Sequence, residues 1–180
     1  MSVVEAVERR IHVMQGEYCV SADPGVMLTT ILGSCVAACM RDPEAQVGGM
    51  NHFLLPGTED RSQTRAAESY GVHLMELLVN NLLRHGARRE RLEAKLFGGS
   101  ATMQGLCDIG ALNSQFAEQF LRHEGIAYAG GSLGGDRGRR IQFWPTSGRA
   151  RQAAMRKNEA FTSPSVSAPL RALGGEVELF

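Results

Sequence analysis

Cys35 and His52 are the residues of this chain whose types and spacing suit nucleophilic catalysis. Cys35 stands in Leu32-Gly33-Ser34-Cys35-Val36-Ala37, and His52 in Gly48-Gly49-Met50-Asn51-His52-Phe53. An imidazole beside a thiol takes its proton and makes the sulfur a nucleophile. Two short apolar runs, Cys35 to Arg41 and Val47 to Leu55, flank Asp42-Pro43-Glu44-Ala45, which carries Asp and Pro at the first two positions of a type I turn. With Asp42 and Ala45 as corners, facing residues have numbers that add to 87, as those of Cys35 and His52 do. Opposed side chains on one face of such a hairpin have Cβ atoms about 4.5–5.5 Å apart. Gly48-Gly49 invites a bulge, however, and a slip of one residue would turn His52 to the other face. A buried free cysteine beside a core histidine is the competing reading.

A cysteine nucleophile also needs donors for an oxyanion and a group that orients the imidazole. Gly33 and Ser34 precede Cys35 in a tight turn that can leave backbone amides free, which makes them the oxyanion candidates. Thr29 and Thr30, in the strand before that turn, each offer a hydroxyl for the imidazole N–H, and the spacing does not choose between them. Cys35-x-x-x-Cys39 with His52 supplies three ligands for a metal, but no second pair closes a tetrahedral site. No metal and no cofactor is therefore expected. Gly98-Gly99-Ser100 and the segment Gly130 to Gly138 match neither a P-loop nor a dinucleotide fingerprint, so they are read as turns or close backbone approaches. Ser34 is not in a G-x-S-x-G elbow.

The elements that must position these residues follow from periodicity. Glu17 to Ser21, Val26 to Ile31, Leu92 to Phe97, Ile126 to Ala129 and Arg140 to Trp144 read as strands, with residues 1–16 a lead-in or short edge strand. Tyr70, Val72, Leu74, Met75, Leu77, Leu78, Val79 and Leu82 lie at helical spacing within Arg65 to His85, and Gly86 stops that helix. Asn113 is placed to cap a second helix, Ser114 to Glu124. This order describes an α/β layered domain with much antiparallel pairing over 1–155. A polar, flexible tail is expected over 156–180, whose acidic and aromatic end suits docking on a partner.

Among 180 residues, Lys plus Arg and Asp plus Glu number 19 each. A neutral chain has no field that recruits nucleic acid. Arg137-Gly138-Arg139-Arg140 is read as a solvated turn entering a strand. No apolar run reaches the roughly 20 residues of a membrane span, and the N-terminal residues lack a signal peptide's apolar core. A cytoplasmic protein without membrane insertion is expected. Cys19, Cys39 and Cys107 are read as packing residues rather than disulfide partners.

The run Leu28 to Ala37, then Gly48 to Pro56, resembles the chemoreceptor glutamine deamidase family of bacterial chemotaxis, CheD. The likeness continues through Ala94-Lys95-Leu96-Phe97-Gly98-Gly99, Asp108-Ile109-Gly110 and Gly138-Arg139-Arg140-Ile141 to Thr146-Ser147-Gly148-Arg149. It implies a layered α/β/β sandwich and a cysteine amidohydrolase that converts receptor glutamines to glutamate with release of ammonia. It assigns Cys35 as nucleophile, His52 as base and, by position, Thr29 rather than Thr30 as the third member of the triad. The implied partners are the cytoplasmic helices of methyl-accepting chemotaxis receptors and, in some bacteria, a CheC-type phosphatase. A non-catalytic adaptor on the same fold is the alternative. An enzyme should show a reactive Cys35 of lowered pKa, an adaptor an inert one.

Overall fold

Runs of β-branched and apolar residues broken by glycine turns give this chain mostly short strands. The computed structural model describes residues 8–56, 61–101, 107–156 and 177–180, without the side chains of 61–64 and 107–108. In chain order the elements are β1 (Arg9–His12), β2 (Tyr18–Ser21), β3 (Val26–Leu32), β4 (Val36–Asp42), β5 (Val47–Asn51), α1 (Arg61–Arg84), β6 (Glu93–Gly98), α2 (Cys107–Glu124), β7 (Ala127–Leu133), β8 (Arg139–Phe143), β9 (Ala150–Ala154) and β10 (Val177–Leu179). They form two mixed sheets of five strands, ordered β1-β3-β8-β9-β10 and β2-β5-β4-β6-β7. The β1–β3 and β6–β7 pairs are parallel and the others antiparallel.

β4 is apolar at every step from Val36 to Met40, and its surroundings explain why. Val36, Ala38 and Met40 join Phe53, Leu74, Met75, Leu78 and Phe120 in one cluster with the two helices. The alternate residues Ala37 and Cys39 join Met50 and Phe97 with Leu28, Leu32, Ile141 and Phe143 of the other sheet. A strand buried on both faces reads as a continuous hydrophobic run rather than as alternation. Phe53 meets Phe116 of α2 edge to face, with ring centroids 5.7 Å apart, which fixes the chain beyond β5 against that helix.

The hairpin exists but in a different register from the one expected. Asp42 pairs with Val47, Met40 with Gly49, Cys39 with Met50 and Val36 with Phe53, so facing numbers add to 89 rather than 87. The cause lies in the loop. Asp42 Oδ1 accepts from the N–H groups of Glu44 and Ala45, and Gln46 takes φ +52, a left-handed step that adds a residue before β5 begins. His52 consequently faces Ala37, not Cys35. The displacement is two residues, so parity survives and His52 stays on the face that carries Cys35.

Other elements also depart from expectation. Tyr70 and Val72 of α1 are exposed rather than in its buried stripe. α2 begins at Cys107, which puts Asn113 inside the helix and not at its cap. β7 runs on through Gly130 and Gly131 to Leu133, and at Gly131 a Cβ would collide with the Leu96 carbonyl of β6. Arg139 is turned inward: it donates to the Ser132 carbonyl and hydroxyl and to the Gly134 carbonyl, tying β7 to β8. The last residues are strand β10 on β9, with Phe180 edge-to-face against Phe97. The rest of the expected tail, 157–176, lies outside the described residues, as do the side chains of Cys107 and Asp108.

Candidate active site

Four hydrogen bonds shape the backbone around Cys35. The Gly33 carbonyl accepts from the N–H and hydroxyl of Ser100, the Ser34 carbonyl from Asn113 Nδ2, and the Cys35 carbonyl from the Gly99 N–H. In a trans peptide the N–H points opposite the carbonyl. Holding the Gly33 and Ser34 carbonyls therefore turns the N–H groups of Ser34 and Cys35 the other way. Among the described residues neither has an acceptor on another residue, and the Cys35 N–H approaches its own sulfur. Gly98 and Gly99 permit this fit: at φ +107 a Cβ on Gly98 would strike the Cys35 carbonyl, and at φ +66 one on Gly99 would strike the Ser114 hydroxyl.

Asn113 was not foreseen as a site residue. It is fully buried on α2, and while Nδ2 holds Ser34, Oδ1 accepts from the Leu55 N–H at 2.9 Å. One amide thus clamps both chains at the open end of the hairpin. In sequence it resembles a helix cap, because Asn before an amphipathic run is the usual cap signal.

The imidazole of His52 is 7% exposed and shares its face with Thr30. His52 Nδ1 lies 2.8 Å from Thr30 Oγ1, and Thr30 donates its own proton to the Val13 carbonyl at 2.8 Å. The hydroxyl oxygen is then left to accept, so the ring carries its proton on Nδ1, with the Val13 carbonyl a second acceptor at 3.4 Å. Nε2 is left with a lone pair, buried and, among the described residues, without a hydrogen-bond partner. Thr29 does not take this place. Successive strand residues point to opposite faces, and the Thr29 hydroxyl donates to the Ile141 carbonyl of β8 at 2.7 Å. The orienting hydroxyl in this geometry belongs to Thr30.

Cys35 and His52 are not hydrogen-bonded to each other, contrary to direct opposition in the hairpin. The thiol instead faces the Gln15 side-chain oxygen at 3.7 Å. Burial pushes the Cys35 thiol above its ordinary value, opposed by its own backbone N–H. Burial likewise pushes His52 below its ordinary value, opposed by the Val13 hydrogen bond. At neutral pH the resting groups are a thiol and a neutral imidazole, not the lowered thiol expected of an activated cysteine. The physical reason is burial without a neighbouring cation.

The segment between β1 and β2, where the sequence suggests a lead-in or short edge strand running into a strand from Glu17, frames this site. The Gly16 N–H donates to the His52 carbonyl at 2.7 Å and the His52 N–H to the Glu17 carbonyl at 3.1 Å, so residues 16 and 17 extend the sheet beside the histidine. The one sequence signal is Gly16, whose φ of +85 fits the third position of a Met14–Glu17 turn.

The family model described as CheD chemotactic sensory transduction matches residues 54–154, beginning just past His52. A protein of Agrobacterium fabrum described as a probable chemoreceptor glutamine deamidase CheD is 54% identical over 183 residues, 99% of this chain and 100% of that protein. A protein of Acidiphilium cryptum with the same description is 64% identical over 149 residues, 82% of this chain and 78% of its own. Among solved structures, the Bacillus licheniformis hypothetical protein YfiH aligns at TM-score 0.42 and 13% identity, over 71% of this chain and 60% of that one.

Proposed function

The chain belongs to the CheD family, and from that premise we propose that it is a protein-glutamine deamidase acting on chemoreceptors through Cys35 and His52. The relatives' descriptions supply the reaction. The observation that carries the residue assignment is the buried Nε2 of His52, a partnerless base on the face that also bears Cys35. An orphaned buried acceptor costs about 1–3 kcal/mol, a cost that a fold keeps where the group has work to do.

In this reading a receptor glutamine enters with its carboxamide over Cys35. The thiol rotates toward His52, gives its proton to Nε2, and the sulfur bonds to the carboxamide carbon. The resulting oxyanion is received by the N–H groups of Ser34 and Cys35, which share their peptide units with the Gly33 and Ser34 carbonyls held by Ser100 and Asn113. His52 passes its proton to the departing nitrogen, the C–N bond breaks, and ammonia leaves a thioester. A water molecule, deprotonated by the same Nε2, attacks the thioester; the C–S bond breaks, the sulfur regains a proton and glutamate is released. Thr30 keeps the ring in the Nδ1–H tautomer, so that Nε2 is the base at both steps. Starting from neutral groups, the proton transfer accompanies attack instead of preceding it.

The fold fits this use if the helices, the β4-containing sheet and the β3-containing sheet stack as an α/β/β sandwich, with Cys35 at an edge between the sheets. Receptor cytoplasmic helices are the partner the reaction requires, which places the protein in the cytoplasm. A restraining CheC-type phosphatase is expected from the family likeness alone. Mass spectrometry of a receptor cytoplasmic fragment tests the function. Glutamine should become glutamate with the native protein and stay unchanged with Cys35→Ala; conversion by that variant would refute the assignment.

A further inference from the structure

Gln15 offers the nucleophile the same chemical group that the proposed substrate does. It is an exposed residue of the Met14–Glu17 turn, and its side-chain oxygen is the acceptor that faces Cys35 Sγ at 3.7 Å. We propose that Gln15 is a resident occupant of the carboxamide subsite, covering Cys35 at rest, and that an incoming glutamine must displace it.

Three observations support the proposal. The turn is not a loose loop that happens to lie near the sulfur. Gly16 and Glu17 hydrogen-bond to both backbone groups of His52, the Val13 N–H donates to the Thr29 carbonyl, and Glu17 closes the turn back to Met14 at 2.9 Å, so Gln15 is held by the same strands that hold the site. The Met14 N–H also binds the Glu17 carboxylate at 3.0 Å, which stiffens the turn further. Second, the Gln15 carboxamide takes the thiol's hydrogen bond, which explains why Nε2 of His52 remains without one. Third, Met14 and Tyr18 on either side of Gln15 and Gly16 are exposed, at 49% and 36%. A protein surface that delivers a glutamine to Cys35 therefore meets this turn first.

The arrangement does not set Gln15 up for attack. The thiol is directed at the amide oxygen, not at its carbon, and that oxygen is spent on the thiol instead of the Ser34 and Cys35 N–H groups. Displacement removes the thiol's acceptor and leaves it free to turn toward Nε2 of His52. Occupancy by a carboxamide in this way would deny the sulfur to small electrophiles while admitting a glutamine that is pressed into place by a larger docked surface.

The proposal rests on Cys35 being the nucleophile of the reaction above, but its test does not need receptor turnover. Iodoacetamide alkylation of the intact protein, followed by peptide mass spectrometry, reports Cys35 and Cys19 separately in one sample. In Gln15→Ala the Cys35 rate should rise about threefold to fivefold, the loss of one modest hydrogen bond, while Cys19 stays at its native rate. Gln15→Leu fills similar space without an acceptor and should behave as Gln15→Ala does. Equal Cys35 rates in all three proteins would overturn the proposal. Protection by leucine equal to that by glutamine would overturn it as well, since bulk alone would then suffice, and so would a parallel rise at Cys19, which reports general loosening. A receptor left unmodified while the Cys35 rates respond as expected would count against the proposed function and leave the occupancy intact.

Discussion

At its turn the β4–β5 hairpin leaves neither oxygen of Asp42 idle, while at its open end polar atoms stand unused. Asp42 is fully buried; Oδ1 takes the N–H groups of Glu44 and Ala45, and Oδ2 takes the Arg88 N–H and the Arg91 guanidinium. Burial alone would push this carboxyl up, but Arg91 and the Ala45, Arg88 and Glu44 N–H groups hold it at about 2. At the other end, among the described residues, Nε2 of His52 lacks a partner and the thiol's hydrogen bond to Gln15 is a long one. A single strand pair thus concentrates order at one end and unspent hydrogen-bonding capacity at the other. Stability and chemistry can be perturbed separately, and substitutions and pH titrations at the two ends examine whether they can.

Cys35→Ala should have the largest effect, reducing deamidation by at least about a thousandfold. Its unfolding free energy from urea titration should stay within about 1 kcal/mol of the native value, because the half-buried thiol gives up little packing. A matching loss of stability would break the contrast. Asp42→Ala should do the reverse. It leaves the Glu44, Ala45 and Arg88 N–H groups without their acceptor and Arg91 with Glu44 alone, at a cost of about 1–3 kcal/mol for each N–H left unsatisfied, while turnover per folded molecule changes little.

The Asp42 contribution carries a pH signature. Its carboxyl binds a proton less tightly folded than unfolded, so its stabilisation is complete above the ordinary carboxylate range. It is lost as pH falls from about 4 toward 2, and amounts to about 2–3 kcal/mol. Urea titrations across that interval should show the slope in the native protein and a flatter curve in Asp42→Asn. Activity should respond to a different interval. His52 must be neutral to act as a base and burial lowers its pKa from the ordinary imidazole value, so turnover should fall at a more acid pH than it would for an exposed histidine. A fall already beginning above pH 7 would contradict the burial argument.

The smallest effect separates two adjacent threonines. Thr30→Val should lower kcat about fivefold to tenfold, the value of one hydrogen bond that sets the imidazole tautomer, and should disturb the ring's nitrogen chemical shifts in NMR. Thr29→Val removes a bond to the Ile141 carbonyl and should show up in stability with the imidazole signals unmoved. The opposite result would return the orienting role to Thr29.

What could be read from the sequence tracks how each feature is encoded. The hairpin, the thiol and imidazole on one face, and the long helix follow from local patterns of apolar residues and turn residues. The register does not, because it turns on Gln46 adopting a left-handed conformation that nothing about glutamine announces. The choice of threonine was hidden because β3 is buried on both faces, so no polar alternation marks which face is which. Asn113 looks like a cap until α2 proves to start earlier. Gln15 carries no signal at all except the glycine after it. Glycines at 130 and 131 looked like a loop because their role, close approach to β6, is a property of the neighbouring strand.

The central claim is that a receptor glutamine becomes an acyl group on Cys35. Hydroxylamine tests it directly, because it competes with water for a thioester and leaves a hydroxamate where glutamate would otherwise form. Mass spectrometry of a receptor fragment treated with the native protein and hydroxylamine should find hydroxamate at the same glutamine positions that otherwise become glutamate, and none with Cys35→Ala. Glutamate formed at an unchanged rate without hydroxamate would contradict the account.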